Sequence, residues 1–251
     1  MCIRDRFILA LSLLSLNTFA AGSKIDIPKY DWSWKGFFGT YDRASAQRGL
    51  KVYREVCAGC HSMDLIAYRN LADLGFSEAH IKAIAAEYLV PDGPNDEGEM
   101  FEREAIPSDR FANPYPNVQA ARAANNGAYP PDLSLIVKAR PKGADYLKAL
   151  LLGYVEAPAD KEVPDGQYYN KYMDGNLIAM PSPLSEGIVD YDDGTEATMD
   201  QMATDVTTFL AWAAEPSLED RKRIGLKVIL FLFVLLVLAY ISKQQIWRDI
   251  K

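Results

Sequence analysis

The stretch Cys57-Ala58-Gly59-Cys60-His61 decides how this chain of 251 residues is organised. Two cysteines that are separated by two residues and followed at once by a histidine form the attachment pattern of c-type haem. The two thiols can add to neighbouring vinyl groups of one macrocycle, and the histidine then falls beneath the iron. The small residues Ala58 and Gly59 allow the backbone to lie close to the ring. The pattern therefore predicts one covalent haem c, with His61 as the first axial ligand of the iron.

Other uses of paired cysteines fit this sequence less well. A zinc site needs a second pair of ligands, and the third cysteine of the chain, Cys2, lies in a segment that we expect to be removed. A redox dithiol needs no following histidine and is typical of a thioredoxin-like βαβ context, which the sequence does not predict. With two histidines in all, His61 and His80, the chain also offers little for a histidine-rich metal centre.

The second axial ligand decides whether the iron carries electrons or binds small molecules, because a methionine thioether raises the potential and closes the iron. We predict Met180, in Ile178-Ala179-Met180-Pro181-Ser182-Pro183, since the prolines stiffen the backbone and can hold its side chain in place. Met173 is the second choice. His80 is the bis-histidine alternative, although its polar helix face is more typical of a surface histidine. Four other methionines lie beside His61, in an acidic loop or at the spacing of a helix core: Met63, Met100, Met199 and Met202.

Two apolar segments predict an exported protein with a membrane anchor. Residues 1–20 combine a basic start, an apolar run and small residues at the end, which is typical of a secretory signal. Residues 224–241 contain fourteen Leu, Ile, Val or Phe residues and one charge, Lys227. Insertion of those apolar residues is worth roughly 4 to 8 kcal/mol, against about 3 kcal/mol for a central lysine, so the segment is predicted to span a membrane.

Basic residues flank the predicted span on both sides, so their distribution does not orient it. The signal segment does, because it exports the residues that follow. The protein is therefore expected in a bacterial inner membrane, in contact with lipid and with a single pass. Its predicted parts are a signal peptide at 1–20, a periplasmic cytochrome c domain at 21–220, a transmembrane helix at 221–243 and a cytoplasmic tail at 244–251.

The pattern of apolar and turn residues predicts a mostly α fold with long loops. Such loops are expected if a large rigid group, rather than a sheet, organises the core. Asp42 or Ser45 can cap the first helix, and Thr198 with Gln201 forms a predicted capping box. Residues 91–117 read as one long loop, and 156–197 as turns with weak strand signals. The helices are predicted at about 46–57, 78–89, 118–125, from Pro130-Pro131, 145–152, 198–213 and from Ser217 into the membrane.

Charge is spread unevenly along the chain. Residues 21–220 contain 18 Lys or Arg and 32 Asp or Glu, which argues against nucleic-acid binding because that function needs a positive face. Residues 172–220 include eleven acidic residues and no Lys or Arg, and a second acidic run covers 92–104. Such a surface suits a basic partner protein, mainly by raising the rate of association.

Several further stretches, together with the haem motif, resemble the cytochrome c1 family, the haem subunit of ubiquinol–cytochrome c reductase. The resemblance covers essentially the whole mature chain. The matching stretches are Val56-Cys57-Ala58-Gly59-Cys60-His61-Ser62-Met63, residues 120–127, Tyr129-Pro130-Pro131-Asp132-Leu133-Ser134, Ile178-Ala179-Met180-Pro181, residues 192–195 and 197–199, Trp212-Ala213-Ala214-Glu215-Pro216 and Arg221-Lys222-Arg223.

The resemblance implies a role and a set of site residues. The expected subunit takes one electron from a Rieske iron–sulfur protein and passes it to cytochrome c, beside cytochrome b in a dimeric complex. Two alternative functions are those of an anchored cytochrome that serves a terminal oxidase and of a haem peroxidase with an open iron. Some bacterial members carry an additional cysteine pair, which this chain lacks. The implied residues are Met180 as second axial ligand, Arg140 beside a haem propionate, Asn125 and Tyr146 lining the pocket, and Pro130 and Pro131 shaping its wall.

Overall fold

The computed structural model describes residues 25–248, so the predicted signal at 1–20 and the last three residues of the predicted tail lie outside it. The described chain is mostly helical, and one long apolar helix ends it, which confirms the predicted fold class. The α-helices are α1 Arg43–Val52, α2 Glu78–Ala86, α3 Val118–Ala124, α4 Ile136–Ala139, α5 Ala144–Leu152, α6 Met199–Ala214 and α7 Leu218–Trp247.

Helix starts follow their predicted caps. The Asp42 side chain accepts a hydrogen bond from the backbone of Ser45, and Thr198 accepts one from Gln201 in the same way. The predicted capping box at Thr198 is nevertheless only half formed. The backbone N of Thr198 donates to Glu196 O at 3.0 Å rather than to the amide oxygen of Gln201. The Gln201 side chain instead turns toward Asp205, to which its Nε2 donates at 3.0 Å.

Two short antiparallel strand pairs interrupt the helices. Strand β1, Leu89–Asp92, pairs with β2, Phe101–Glu104, so the prediction of one loop over 91–117 was wrong. The alternating pattern of a strand is too short here to stand out from the acidic and proline-rich surroundings. Strand β3, Tyr168–Tyr169, pairs with β4, Leu177–Ile178, within the segment predicted to hold weak strands.

The core forms where α1 packs along α6. Gly49 allows the close approach, because a Cβ atom at this position would lie 2.0 Å from the carbonyl oxygen of Asp205. The buried carboxylate of Asp205 is held by Arg48 through two hydrogen bonds of 2.8 and 3.1 Å and by Ser45 Oγ at 2.7 Å. Around this contact the apolar side chains of both helices are buried, including Leu50, Val52, Met202, Val206 and Phe209.

Helix α7 leaves the domain through a polar junction and then becomes apolar. At the start of the helix, both terminal nitrogens of the Arg43 guanidinium donate to the Glu219 carboxylate, at 2.8 and 2.9 Å. The most apolar window has a mean hydropathy of 2.8, and none of it is buried against the rest of the chain. Among residues 25–248, α7 is the one helix long and apolar enough to cross a membrane.

The contact of α1 with α6 predicts a large effect of a single methyl group. Gly49→Ala should destabilise the protein by about 3 kcal/mol, because the helices must separate to relieve overlap with backbone atoms. Gly225→Ala in α7 is the matched control, since a Cβ atom there meets nothing within 4 Å. Denaturant unfolding of the purified full-length protein compares the two variants. Equal stability of both would contradict the described packing.

Candidate functional site

The predicted haem motif forms a tight turn at the end of α1. The helix widens into a π-helical turn over Tyr53–Cys57, in which Ala58 N donates to Tyr53 O at 2.7 Å. The backbone nitrogens of Cys60 and His61 then both donate to Cys57 O, at 3.1 and 2.9 Å. The three predicted haem-binding residues are thereby fixed around one carbonyl oxygen. Neither cysteine forms a disulfide among the described residues, and burial raises the pKa of the Cys57 thiol to about 12.

The imidazole of His61 has a defined tautomer. Its Nδ1 lies 2.8 Å from the carbonyl oxygen of Pro131, and a carbonyl can only accept, so Nδ1 carries the proton. Burial lowers the pKa of His61, which favours the neutral ring. The Nε2 lone pair is then free, which is the form in which histidine binds a metal.

The segment after His61 is paired with the segment after Pro131. Leu133 N donates to Ser62 O at 2.9 Å, and the buried Ser134 accepts from Leu65 N at 3.0 Å. The Asp132 carboxylate accepts from Ser62 Oγ and Asp64 N, at 2.9 and 2.7 Å. These bonds explain why the helix predicted from Pro130-Pro131 begins only at Ile136. The residues from Pro131 to Ser134 bond to the loop after His61 with their backbone and side chains, and the helix begins after them.

Met180 is half-buried at the end of the segment that contains β3 and β4. Its backbone carbonyl accepts a hydrogen bond from Tyr154 OH at 3.0 Å. The second choice, Met173, lies in the same segment, and its sulfur accepts from Tyr146 OH at 3.5 Å. The structure thus brings Met173, the second choice, into contact with the predicted pocket residue Tyr146 of α5.

A buried asparagine fixes that segment to α5. The side chain of Asn170 is fully buried, and its Nδ2 donates to Leu150 O at 2.8 Å. Its Oδ1 accepts from Tyr172 N at 3.0 Å, and its backbone N donates to Asn176 O at 2.9 Å. Gly153 leaves room for this side chain, since a Cβ atom there would lie 2.5 Å from Asn170 Oδ1. Both polar ends of a buried amide are therefore satisfied, which rigidifies the loop.

The other predicted pocket residues fall into two groups. On the Cys60 side, Asn125 Nδ2 donates to Tyr115 OH at 3.1 Å, and that hydroxyl lies 4.0 Å from Cys60 Sγ. Pro130 lines a surface pocket of about 140 Å³ together with Cys60 and Tyr115, whereas Pro131 is exposed and contributes its carbonyl to His61.

Arg140 and Tyr146 form the second group, near Met173. Arg140 is exposed, and within residues 25–248 its guanidinium makes one hydrogen bond, to Ala139 O at 3.5 Å, and no ion pair. Burial raises the pKa of Tyr146, and the nearby charge of Arg140 partly offsets that rise. Arg140 is therefore a cation that has no ion-pair partner among the described residues, and its charge acts on the predicted pocket residue Tyr146.

The remaining ligand alternatives lie elsewhere. His80 is exposed on α2, and Met100 is exposed beside β2. Met63 and Met202 are fully buried in the core, but Met199 is 38 % exposed at the start of α6, so the expectation of a core position was wrong for it. Two residues with defined contacts in this region were missed, Asn170 and Tyr154. Neither stands in a motif, and single polar residues in a turn-rich segment carry no periodic signal.

The acidic stretch 172–220 is largely neutralised by cations within the fold. Seven of its eleven carboxylates form ion pairs among the described residues: Asp192, Asp193, Asp200, Asp205, Glu215, Glu219 and Asp220. In the run at 92–104, Asp92 pairs with Arg103. Its five other carboxylates have no ion pair between residues 25 and 248: Asp96, Glu97, Glu99, Glu102 and Glu104. The β1–β2 hairpin therefore carries the less compensated negative charge.

Comparison with known proteins identifies the family. The sequence pattern of the Cytochrome C1 family matches residues 32–250. Cytochrome c1 of Rhodospirillum rubrum is 49% identical, over 90% of this chain and 89% of its own length. "Cytochrome c1-2, heme protein, mitochondrial" of Solanum tuberosum is 49% identical, over 95% of this chain and 94% of its own.

A third relative is a longer protein. "Cytochrome b/c1" of Bradyrhizobium diazoefficiens is 49% identical over 96% of this chain, which spans 38% of that protein's length. The family pattern and the relatives both extend over nearly the whole chain, including the haem motif and α7. The chain therefore belongs to the Cytochrome C1 family.

Proposed function

We propose that this chain is the electron-transfer haem subunit of a ubiquinol–cytochrome c reductase. It accepts one electron from a Rieske iron–sulfur protein and passes it to cytochrome c, and it assembles with cytochrome b in a dimeric complex. Family membership supports the haem and the complex. The observation that carries the proposal is the turn around Cys57 O, which gathers two cysteines outside any disulfide and an imidazole whose Nε2 can bind a metal.

The donor set fits one covalent haem c. Cys57 and Cys60 would each form a thioether to a vinyl group, and His61 Nε2 would bind the iron. Bound haem supplies a couple between ferric and ferrous iron, which exchanges one electron without a proton or a bond to substrate. The protein residues keep the imidazole in one tautomer and one orientation through Pro131 O.

Met180 is the proposed second axial ligand. A thioether favours the ferrous state and closes the iron to small molecules, which separates an electron carrier from a haem peroxidase. The ligand must be held firmly, because the chain has no cysteine pair left to brace its loop once Cys57 and Cys60 bind haem. Tyr154 holds the Met180 carbonyl, and the Asn170 contacts hold the start of the same segment against α5.

Arg140 is proposed to bind a haem propionate. Its exposed guanidinium has no ion pair among residues 25–248, and a fixed guanidinium can bind a carboxylate through two hydrogen bonds. Tyr146 and Asn125 are proposed to line the pocket, with Pro130 and Pro131 as its wall. The contacts of Asn125 through Tyr115 toward Cys60 support a place beside the second thioether.

The proposed membrane arrangement follows from α7. Residues 221–243 would span a bacterial inner membrane once, and the haem domain at 21–220 would lie in the periplasm with residues 244–251 on the cytoplasmic side. The predicted signal at 1–20 supports this orientation. The exposed apolar surface of α7 supports the span, because in water such a surface would be costly.

Replacing the proposed ligand should convert the iron from a closed to an open site. Met180→Leu should keep covalent haem, lower the midpoint potential by more than ~0.1 V within the ~0.8 V range set by axial ligands, and bind carbon monoxide when reduced. Met173→Leu is the matched control and should retain the parental potential. Redox titration and reduced-minus-oxidised spectra of the membrane complex measure both. A fall in potential for Met173→Leu alone would assign the ligand to Met173.

Asn170 should act as a positioning residue for Met180. Asn170→Ala removes the buried amide and leaves Leu150 O and Tyr172 N without their partners, at about 1 to 3 kcal/mol for each group. We expect covalent haem to remain, the methionine–iron absorption band to weaken and the potential to fall. Asn95→Ala, which breaks similar bonds in the distant β1–β2 hairpin, should leave band and potential unchanged. An unaltered band in Asn170→Ala would refute the positioning role.

The less compensated hairpin should attract basic cytochrome c. Glu99→Gln with Glu102→Gln should slow electron delivery to cytochrome c severalfold at low ionic strength, and the difference should vanish at high salt. Glu186→Gln with Glu196→Gln, from the other acidic stretch, is the matched control. Stopped-flow oxidation of the reduced complex measures the association rate. If the control pair slows the reaction and the hairpin pair does not, the docking surface lies on 172–220.

A further inference from the structure

An aromatic tip stands beside the start of α7. Phe37 and Phe38 are 53 % and 80 % exposed, and their rings are in contact at 5.0 Å between centroids. They are the two most exposed aromatic side chains between residue 25 and α7, although Trp32 and Tyr41 of the same segment are buried. The sequence places the tip between Gly36 and Gly39, in a tight turn. Nothing within the described chain covers these two rings.

The tip is fixed to α7 by a lysine. Lys222 Nζ donates to three backbone carbonyls of the tip segment, those of Trp34, Gly36 and Gly39, at 2.7, 2.7 and 2.9 Å. All three donors of the ammonium are therefore used. Two of these carbonyls belong to Gly36 and Gly39, which flank Phe37 and Phe38, so the tip is joined to α7 through one lysine side chain. Its position along α7 is thus set by the position of Lys222.

That position coincides with the expected membrane surface. The apolar part of α7, in which Lys227 is the one charged residue, covers residues 224–241. Its length is about 27 Å at 1.5 Å per residue, slightly less than the ~30 Å of a hydrocarbon core. Lys222 therefore lies at the level of the headgroups, about 3 Å along the helix axis before Ile224. Lys222 precedes the apolar part of α7 in the chain. The tip therefore lies on the same side of the membrane as the haem domain.

We propose that Phe37 and Phe38 insert into the headgroup–acyl boundary and form a second membrane contact beside α7. This inference rests on the proposed membrane span. Phenyl rings partition favourably into the boundary region, and the neighbouring cation Lys227 suits anionic headgroups. With one helix alone the domain could rotate about the helix axis and tilt. A second contact, locked through Lys222, fixes the orientation of the haem domain relative to the bilayer.

Spin labelling tests this contact in the assembled complex. Phe38→Cys in the full chain is labelled with a nitroxide after reconstitution into phosphatidylcholine–phosphatidylglycerol vesicles. The label should collide more with oxygen, which concentrates in lipid, than with a water-soluble nickel chelate. Leu89→Cys is the matched control, because Leu89 is 60 % exposed in β1, outside α7 and the tip. The oxygen-to-nickel collision ratio should be severalfold higher at position 38 than at 89.

Three results would overturn the proposal. Frequent nickel collisions at position 38 would place the tip in water, and low collision with both reagents would place it against a partner subunit. An unchanged ratio after Lys222→Met in the labelled protein would show that the lysine does not position the tip. Washing the membranes with alkaline carbonate distinguishes a failure of the proposed span from a failure of the second contact. Release of the parental chain would refute the span itself, whereas retention of the chain with a water-exposed label refutes only the second contact.

Discussion

The hydrogen bond from His61 Nδ1 to the carbonyl oxygen of Pro131 is the interaction on which the proposed site depends. It selects the tautomer that leaves Nε2 free, and it joins the haem motif to a segment seventy residues later. The contacts of Asp132 and Ser134 with the 62–65 loop make this junction stiff. A chain with long loops can thus present a metal ligand in one orientation, because the loops are tied to each other rather than to a sheet.

The segment that carries the proposed ligand Met180 is held in a different way. The fully buried side chain of Asn170 and the hydroxyl of Tyr154 hold the segment that carries Met180, both through hydrogen bonds to backbone groups. A buried amide with both ends satisfied can stiffen a loop as a crosslink would, but it does so through the folded state alone. A disulfide also restricts the unfolded chain. The polar brace therefore depends on α5 being in place, so the ligand loop and the domain core are energetically coupled.

Local signals in the sequence were sufficient for the haem motif, the helix caps at Asp42 and Thr198, and the apolar helix. Each is a short pattern whose meaning depends on neighbouring residues. Contacts between distant segments were not predictable in this way. Asn170 has no neighbours that mark it as buried, and Lys222 looks like any basic residue beside a span, yet both bind backbone carbonyls far along the chain. The covalent attachment through Cys57 and Cys60, the iron ligands His61 and Met180 and the pocket residues stay predictions.

The central claim is that two thioether bonds and an imidazole hold one haem on this chain. Intact-mass measurement of the purified chain after acid–acetone extraction tests it most directly. The account predicts that the polypeptide keeps the mass of one haem, and that proteolysis leaves this mass on the peptide containing Cys57 and Cys60. A colourless chain with the mass of its amino acids alone, and pigment in the acetone phase, would contradict it.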